Sequence, residues 1–182
     1  MKSIKKQFNL SICLNSAGIG RVTEYVLSTT FDCIDSLELN KQFCETYRKK
    51  FQNEKFFGQV FNNSLHEFEF TGKEKYHCMW FQYVLEHLTD TDLIAFLKKC
   101  KKNLARKSSK NDDSQTGYLI IKENTILKHK KSFLADKKDS SMIRHKRVLD
   151  EIFEKCGFEI VQSFQQPHFP EEFHPTYIWI LS

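Results

Sequence analysis

No stretch of this sequence approaches the roughly 18 to 20 consecutive apolar residues of a membrane span; its longest apolar runs are strand-sized. That predicts a soluble chain with no membrane partner. The N-terminus MKSIKKQFNLSICL is basic and then apolar, but Asn9 and Ser11 interrupt it and no small-residue cleavage site follows, so no signal peptide is read. Cys-x-x-Cys pairs are missing too. The six cysteines, Cys13, Cys33, Cys44, Cys78, Cys100 and Cys156, are scattered, most of them in apolar stretches where a thiol packs as a small hydrophobe. Reduced core cysteines in a cytoplasmic or nuclear protein are the expectation. The seven histidines form neither a His-Glu-x-x-His motif nor a Cys/His cluster, which leaves no basis for a metal site. Internal repeats are lacking, as is any Asn/Asp-Pro-Pro-Tyr motif for base flipping, and the basic residues are not interleaved with aromatics as a stacking platform requires. Nucleic acid is therefore not expected as a partner, and the net charge of +5, carried largely by lysines in LKKCKKNLARKSSK and ILKHKKSFLADKKD, reads as solvation.

What is present is enough for one globular domain over residues 1–182: 40% of the chain is hydrophobic and 14% aromatic. Residues 8–14 (FNLSICL) read as a strand, followed by a glycine loop and an amphipathic stretch over 21–27. Residues 32–39 form a second strand, and the helix after it is opened by Asn40 as cap. KFFGQVF is a third strand and YHCMWFQYVL begins as a fourth. In TDTDLIAFLKKCKKNL, Leu93, Ile94, Leu97, Cys100 and Leu104 share one helical face, with Thr89 or Asp90 as cap. GYLIIKEN is a fifth strand, SMIRHKRVLDEIFEKCG a helix stopped by Gly157, and FEIVQSFQ and TYIWIL two closing strands that pair antiparallel. Alternating strands and helices predict an α/β, Rossmann-like seven-stranded sheet, mostly parallel with an antiparallel C-terminal strand. Residues 106–116, polar throughout, read as a flexible insert.

In such a sheet, ligands bind beyond the carboxyl ends of the strands, close to the first strand. The loop Ser16-Ala-Gly-Ile-Gly-Arg21 lies there. Gly18 and Gly20 allow positive φ and a close backbone approach to a ligand. A dinucleotide fingerprint needs a third glycine where Thr23 stands, and the Walker lysine is missing as well, which argues against a pyrophosphate. Glu38, about twenty residues on and ending the second strand, suits a pair of ribose hydroxyls. Ribose without phosphate points to an adenosyl ligand, commonly S-adenosylmethionine.

The segments AGIGRVT, FQYVLEHLTDTDLIAFLKKCKKNL, IIKEN and DSSMIR occur in this order. Together they resemble the protein α-N-terminal methyltransferases, class I enzymes that use S-adenosylmethionine to methylate the α-amine of chains beginning X-Pro-Lys. The resemblance covers residues 12–182. It implies that Ser16, Gly18 and Gly20 form the cofactor loop, that Arg21 reaches the methionine carboxylate, that Glu38 holds the ribose, that Leu65 and His66 flank the adenine, and that Gln82 contacts the methionine end. It further implies that Tyr83, Asn124, Asp139 and Ser141 line a peptide channel, with His174 near its end, Asp136 serving the cationic third residue, and His87 and Asp139 beside the substrate amine as base and counter-charge. This chain departs from the family in having Leu14-Asn15 where the first strand usually ends in an acid, Ser16 for a glycine, His66 for a glutamine and His174 for a tyrosine. It is also expected to lack the helical segment that, in the family, precedes the first strand and folds over the cofactor. The alternative to an enzyme is a non-catalytic module of this fold that regulates or partners an active paralogue.

Overall fold

A computed structural model describes residues 12–71, 75–106, 116–127, 132–168, 170 and 172–182. The expected insert at 106–116 and the first four residues of the expected first strand fall almost entirely outside these. The chain alternates as read: β1 (Ile12–Ser16), β2 (Cys33–Glu38), α1 (Lys41–Phe51), β3 (Phe57–Asn62), β4 (Cys78–Gln82), α2 (Asp90–Asn103), β5 (Tyr118–Asn124), β6 (Phe133–Asp136), β7 (Ser141–Arg144), α3 (Lys146–Lys155), β8 (Ile160–Gln165) and β9 (Thr176–Leu181). Seven strands form one sheet in the order β3-β2-β1-β4-β5-β9-β8. The first five run parallel, and β9 is antiparallel to both its neighbours. This is the predicted class I architecture. Because the chain passes from β3 at one edge back to β4 beside β1, strand order reverses between β1 and β4, which opens a crevice at their carboxyl ends.

Two local features differ from expectation. Residues 141–144 do not start a helix: they pair with β6 in a separate antiparallel hairpin, Phe133 opposite Arg144 and Asp136 opposite Ser141. The following helix begins only at Lys146, where His145 caps it by accepting from the Arg147 amide at 3.1 Å. Asp139 and Ser140 sit in the hairpin turn. Ser-Met-Ile-Arg suits a short strand as well as a helix, and its β6 partner decides the matter. The stretch after the glycine loop is wound one residue wider than an α-helix over Thr23–Leu27.

The caps are as read. Asn40 accepts from the amides of Gln42 and Phe43, and Thr89 from Asp92. One sheet face is covered by α2 and α3, whose Leu93, Phe96, Leu97, Leu149, Ile152 and Phe153 join Phe81, Leu119, Ile121 and Trp179 in a single buried core. Edge-to-face pairs Phe81–Phe96 (5.1 Å) and Phe153–Trp179 (5.5 Å) tie helices to strands, each adding about 1 kcal/mol beyond area burial. On the other face Cys13, Leu27, Ile34 and Cys78 pack together, and Ala17, Tyr47 and Phe51 form a smaller cluster under the glycine loop. Among the described residues no helix is long and apolar enough to cross a membrane.

Candidate functional site

The first strand delivers Ser16 to the crevice, where its hydroxyl accepts from the Gln82 amide at 3.2 Å and so laces β1 to β4 across the switch point. Gly18 then turns with φ +51°, and its N–H donates to Glu38 Oε2 at 2.9 Å. The other oxygen of Glu38 accepts from the Asn40 amide at 2.8 Å. The carboxylate is thereby pinned at the tip of β2, facing a cleft of about 550 Å³ lined by Ser16, Gly18, Arg21, Glu38, Gln82 and Tyr83, among others. A Cβ built on Gly18 would meet nothing within 4 Å, so this glycine borders open space.

Gly20 has a different job. It too has positive φ (+90°), but a Cβ there would come within 2.3 Å of the Phe51 ring, so its bare Cα is what lets the loop sit on α1. Beneath the loop lies a buried polar chain that sequence reasoning missed. Asn15 Nδ2 donates to the Asp35 carbonyl (3.0 Å) and to Ser36 Oγ (3.1 Å), and its Oδ1 accepts from Thr23 Oγ1 (3.4 Å). The hydroxyl of Tyr47 closes the chain on Thr23 at 3.2 Å. Every member is neutral, and together they hold the loop where the family uses an acid. Arg21 is exposed on the cleft. Leu65 and His66 do not line it: Leu65 is buried in the main core with Leu37, and His66 is exposed on the turn after β3.

The substrate-side residues gather along the same edge. Tyr83 follows β4 with φ +53°, uncommon for a bulky side chain. Its N–H donates to the Lys122 carbonyl (3.0 Å) and its hydroxyl meets Thr176 Oγ1 (3.3 Å). Thr176 in turn donates to Asn124 Oδ1 at 3.1 Å. Fully buried, Thr176 thus sets the orientation of the Asn124 amide, leaving its N–H groups for a ligand. The Lys122 ammonium lies 5.5 Å from the Tyr83 ring centroid, and burial lowers its pKa.

His87 ends the short 3₁₀ turn Leu85–His87, and Asp139 sits in the turn between β6 and β7. The Asp139 carboxylate is exposed. Hydrogen bonds from the Ser141 hydroxyl and then the Ser141 amide (3.0 Å) hold its pKa below the usual carboxylate range, and the nearby His87 adds to this. The two groups implied by resemblance therefore lie within electrostatic reach of each other, contributed by separate elements. Asp136 is engaged locally, accepting from the Lys138 amide at 2.8 Å, and His174 is exposed before β9.

A second buried group also escaped the sequence reading. Glu123 Oε1 accepts from the amides of both Val84 and Leu85 at 2.8 Å, while burial and then the charge of Glu86 push its pKa up to about 8. Its position in IIKEN marks the segment, but nothing in the spacing says that this acid turns inward. Arg144, also buried, donates to the carbonyls of Leu85 (3.4 Å) and Leu88 (2.5 Å) and to Asp90 (2.7 Å).

All of residues 1–182 match the family described as AdoMet dependent proline di-methyltransferase. Alpha N-terminal protein methyltransferase 1 of Dictyostelium discoideum is 35% identical over 176 residues, covering 95% of this chain and 60% of that protein. N-terminal Xaa-Pro-Lys N-methyltransferase 1 of Danio rerio is 30% identical over 162 residues, covering 88% and 67%. A solved S-adenosylmethionine-dependent methyltransferase of Leishmania major superposes with a TM-score of 0.81 at 27% identity, over 96% of this chain and 65% of that one. The chain thus spans about two thirds or less of the length of these relatives. On a match that runs the whole length of the sequence, and with the fold in agreement, the chain belongs to the AdoMet-dependent proline di-methyltransferase family.

Proposed function

We propose that this protein transfers a methyl group from S-adenosylmethionine to the α-amino group of a protein or peptide beginning X-Pro-Lys. The observation that carries the proposal is that Tyr83, which lines the Gly18–Glu38 cleft, is joined through Thr176 to Asn124 at the same sheet edge, with Asp139 within electrostatic reach of His87 on the turn that follows. The cleft suits an adenosyl ligand. Its volume falls in the range of small-molecule sites, Glu38 presents an acceptor for ribose hydroxyls, and Arg21 presents a cation for the methionine carboxylate. When bound, S-adenosylmethionine supplies an electrophilic methyl carbon whose leaving group is a neutral thioether.

The protein's task is then to deliver a neutral, aligned amine. A free α-amine has a pKa of roughly 8 and is mostly protonated at neutral pH. Asp139, kept ionised by Ser141, attracts the arriving ammonium, and His87 beside it accepts the proton. Asn124, oriented by Thr176, donates to the first peptide carbonyls, and Asp136 faces the positive third residue. Fixing nitrogen against methyl carbon supplies much of the remaining rate. The names of the Dictyostelium and Danio relatives support both the α-amine and the X-Pro-Lys specificity. We place the protein in the cytoplasm or nucleus, where its cysteines, five of them buried, stay reduced.

The test is transfer of label from S-adenosylmethionine to an X-Pro-Lys peptide by wild type and Asp139→Asn. We expect transfer by the wild type and a loss of about 100-fold or more in the variant. Binding of cofactor product without any transfer by the wild type would instead establish a non-catalytic module.

A further inference from the structure

The turn between β4 and α2, residues 83–88, carries Tyr83 at its start, its hydroxyl 3.3 Å from Thr176 Oγ1, and His87 near its end. Its backbone is gripped by two buried side chains, one an acid and the other a base. From β5, Glu123 takes the Val84 and Leu85 amides on a single oxygen, both at 2.8 Å. From β7, Arg144 takes the Leu85 and Leu88 carbonyls and extends to Asp90 at the first turn of α2. Leu85 is held by both, through its N–H and its C=O.

We propose that Glu123 and Arg144 are positioning residues for the methyl transfer, a two-sided clamp that fixes the 83–88 turn so that Tyr83 and His87 face the substrate amine. This rests on the function proposed above. Three observations support it. Tyr83 adopts φ +53°, a conformation that is strained for a bulky residue and persists only where its surroundings impose it; the clamp closes on the two residues that follow. Glu123 Oε2 is buried with no hydrogen-bond partner among the described residues, so the carboxyl is kept at a desolvation cost that a purely apolar core position would not carry. And Arg144 belongs to the same hairpin as Asp139, so one element both aims the His87 turn and presents the acid beside it.

Glu123→Gln and Glu123→Asp separate the possibilities. Glutamine keeps an acceptor at the position of Oε1, whereas aspartate keeps the acidity but withdraws the carboxyl by about 1.5 Å, one carbon–carbon bond. Steady-state rates with an X-Pro-Lys peptide, calorimetric affinity for S-adenosylhomocysteine, and amide hydrogen exchange at Val84 and Leu85 are measured on each. The clamp predicts that Glu123→Gln stays within about twofold of wild type in kcat, while Glu123→Asp loses about 10- to 100-fold. It further predicts faster exchange at both amides in Glu123→Asp only, with S-adenosylhomocysteine affinity unchanged in either variant. Wild-type kcat and exchange in Glu123→Asp would overturn the proposal, as would loss of activity in Glu123→Gln with Glu123→Asp intact, since that assigns the carboxyl a charge role. Should the wild type itself transfer no methyl group, the functional reading fails while the exchange arm still decides the clamp.

Discussion

Single residues in this site divide by what they touch. Gly18 borders the cleft and Gly20 borders Phe51, although the sequence presents them as an equivalent pair. Gly20→Ala puts a methyl group against the Phe51 and Tyr47 rings at φ +90°; we expect a loss of about 2 kcal/mol or more in urea unfolding at an unchanged m-value. Thr176 is the residue whose importance only the fold displays. It is an ordinary strand-start threonine in sequence, but its hydroxyl stands between Tyr83 and Asn124. Thr176→Val keeps the shape and removes the link, leaving the Asn124 carbonyl without its donor. The expected outcome is a rise in peptide KM of about 5- to 30-fold, corresponding to 1–2 kcal/mol, with unchanged affinity for S-adenosylhomocysteine in calorimetry. Spacing was sufficient to put Glu38 at the end of the second strand, where the structure has it facing the cleft. It could not find Thr176 or Asn15, whose partners lie far away in the chain and meet them only after the sheet assembles. The resemblance named His87 and Asp139, and the structure sets them on separate elements within electrostatic reach of each other. It also named Leu65 and His66, which lie outside the cleft as it stands.

At the scale of elements, caps and periodicity were legible and pairing was not. Asn40 and Thr89 cap as read because the side chain to amide bond is local. The segment 141–144 was misread because its strand character comes from β6, eight residues or so upstream across a turn with Ser140 at φ +58°. The consequence is functional: as a hairpin the segment carries Asp139 outward and Arg144 inward. Glu123 brings a pH dependence to this same layer. Its folded pKa, about 8, is above the ordinary 4.5, so between these values the folded state holds a proton that the unfolded chain releases. Stability contributed by that proton is complete below about pH 4.5 and is lost as pH rises through about 8. The opposing charges nearby are Glu86 on the turn and Arg144 on β7, with Asp90 paired to the latter. Thermal unfolding of wild type should therefore fall between pH 5 and 8.5 by more than that of Glu123→Gln, which carries no titrating group there. Parallel curves would contradict it.

For the whole molecule, the strand order places every element of the proposed chemistry at one edge. Parallel β1, β2, β4 and β5 end there, and antiparallel β9 begins there, so the loop glycines, Glu38, Tyr83, Asn124 and Thr176 converge although they span most of the chain. That convergence was legible from the alternation of strands and helices; the hairpin that completes it was not. The central claim is that this edge aims a peptide's leading nitrogen at a methyl donor. It is tested most directly by incubating the protein with S-adenosylmethionine and an X-Pro-Lys peptide, free or N-acetylated, and locating any added methyl groups by fragment mass spectrometry. The account predicts methyl groups on the α-nitrogen of the free peptide and none anywhere on the acetylated one. Methylation of the lysine side chain, or of the acetylated peptide, would contradict it.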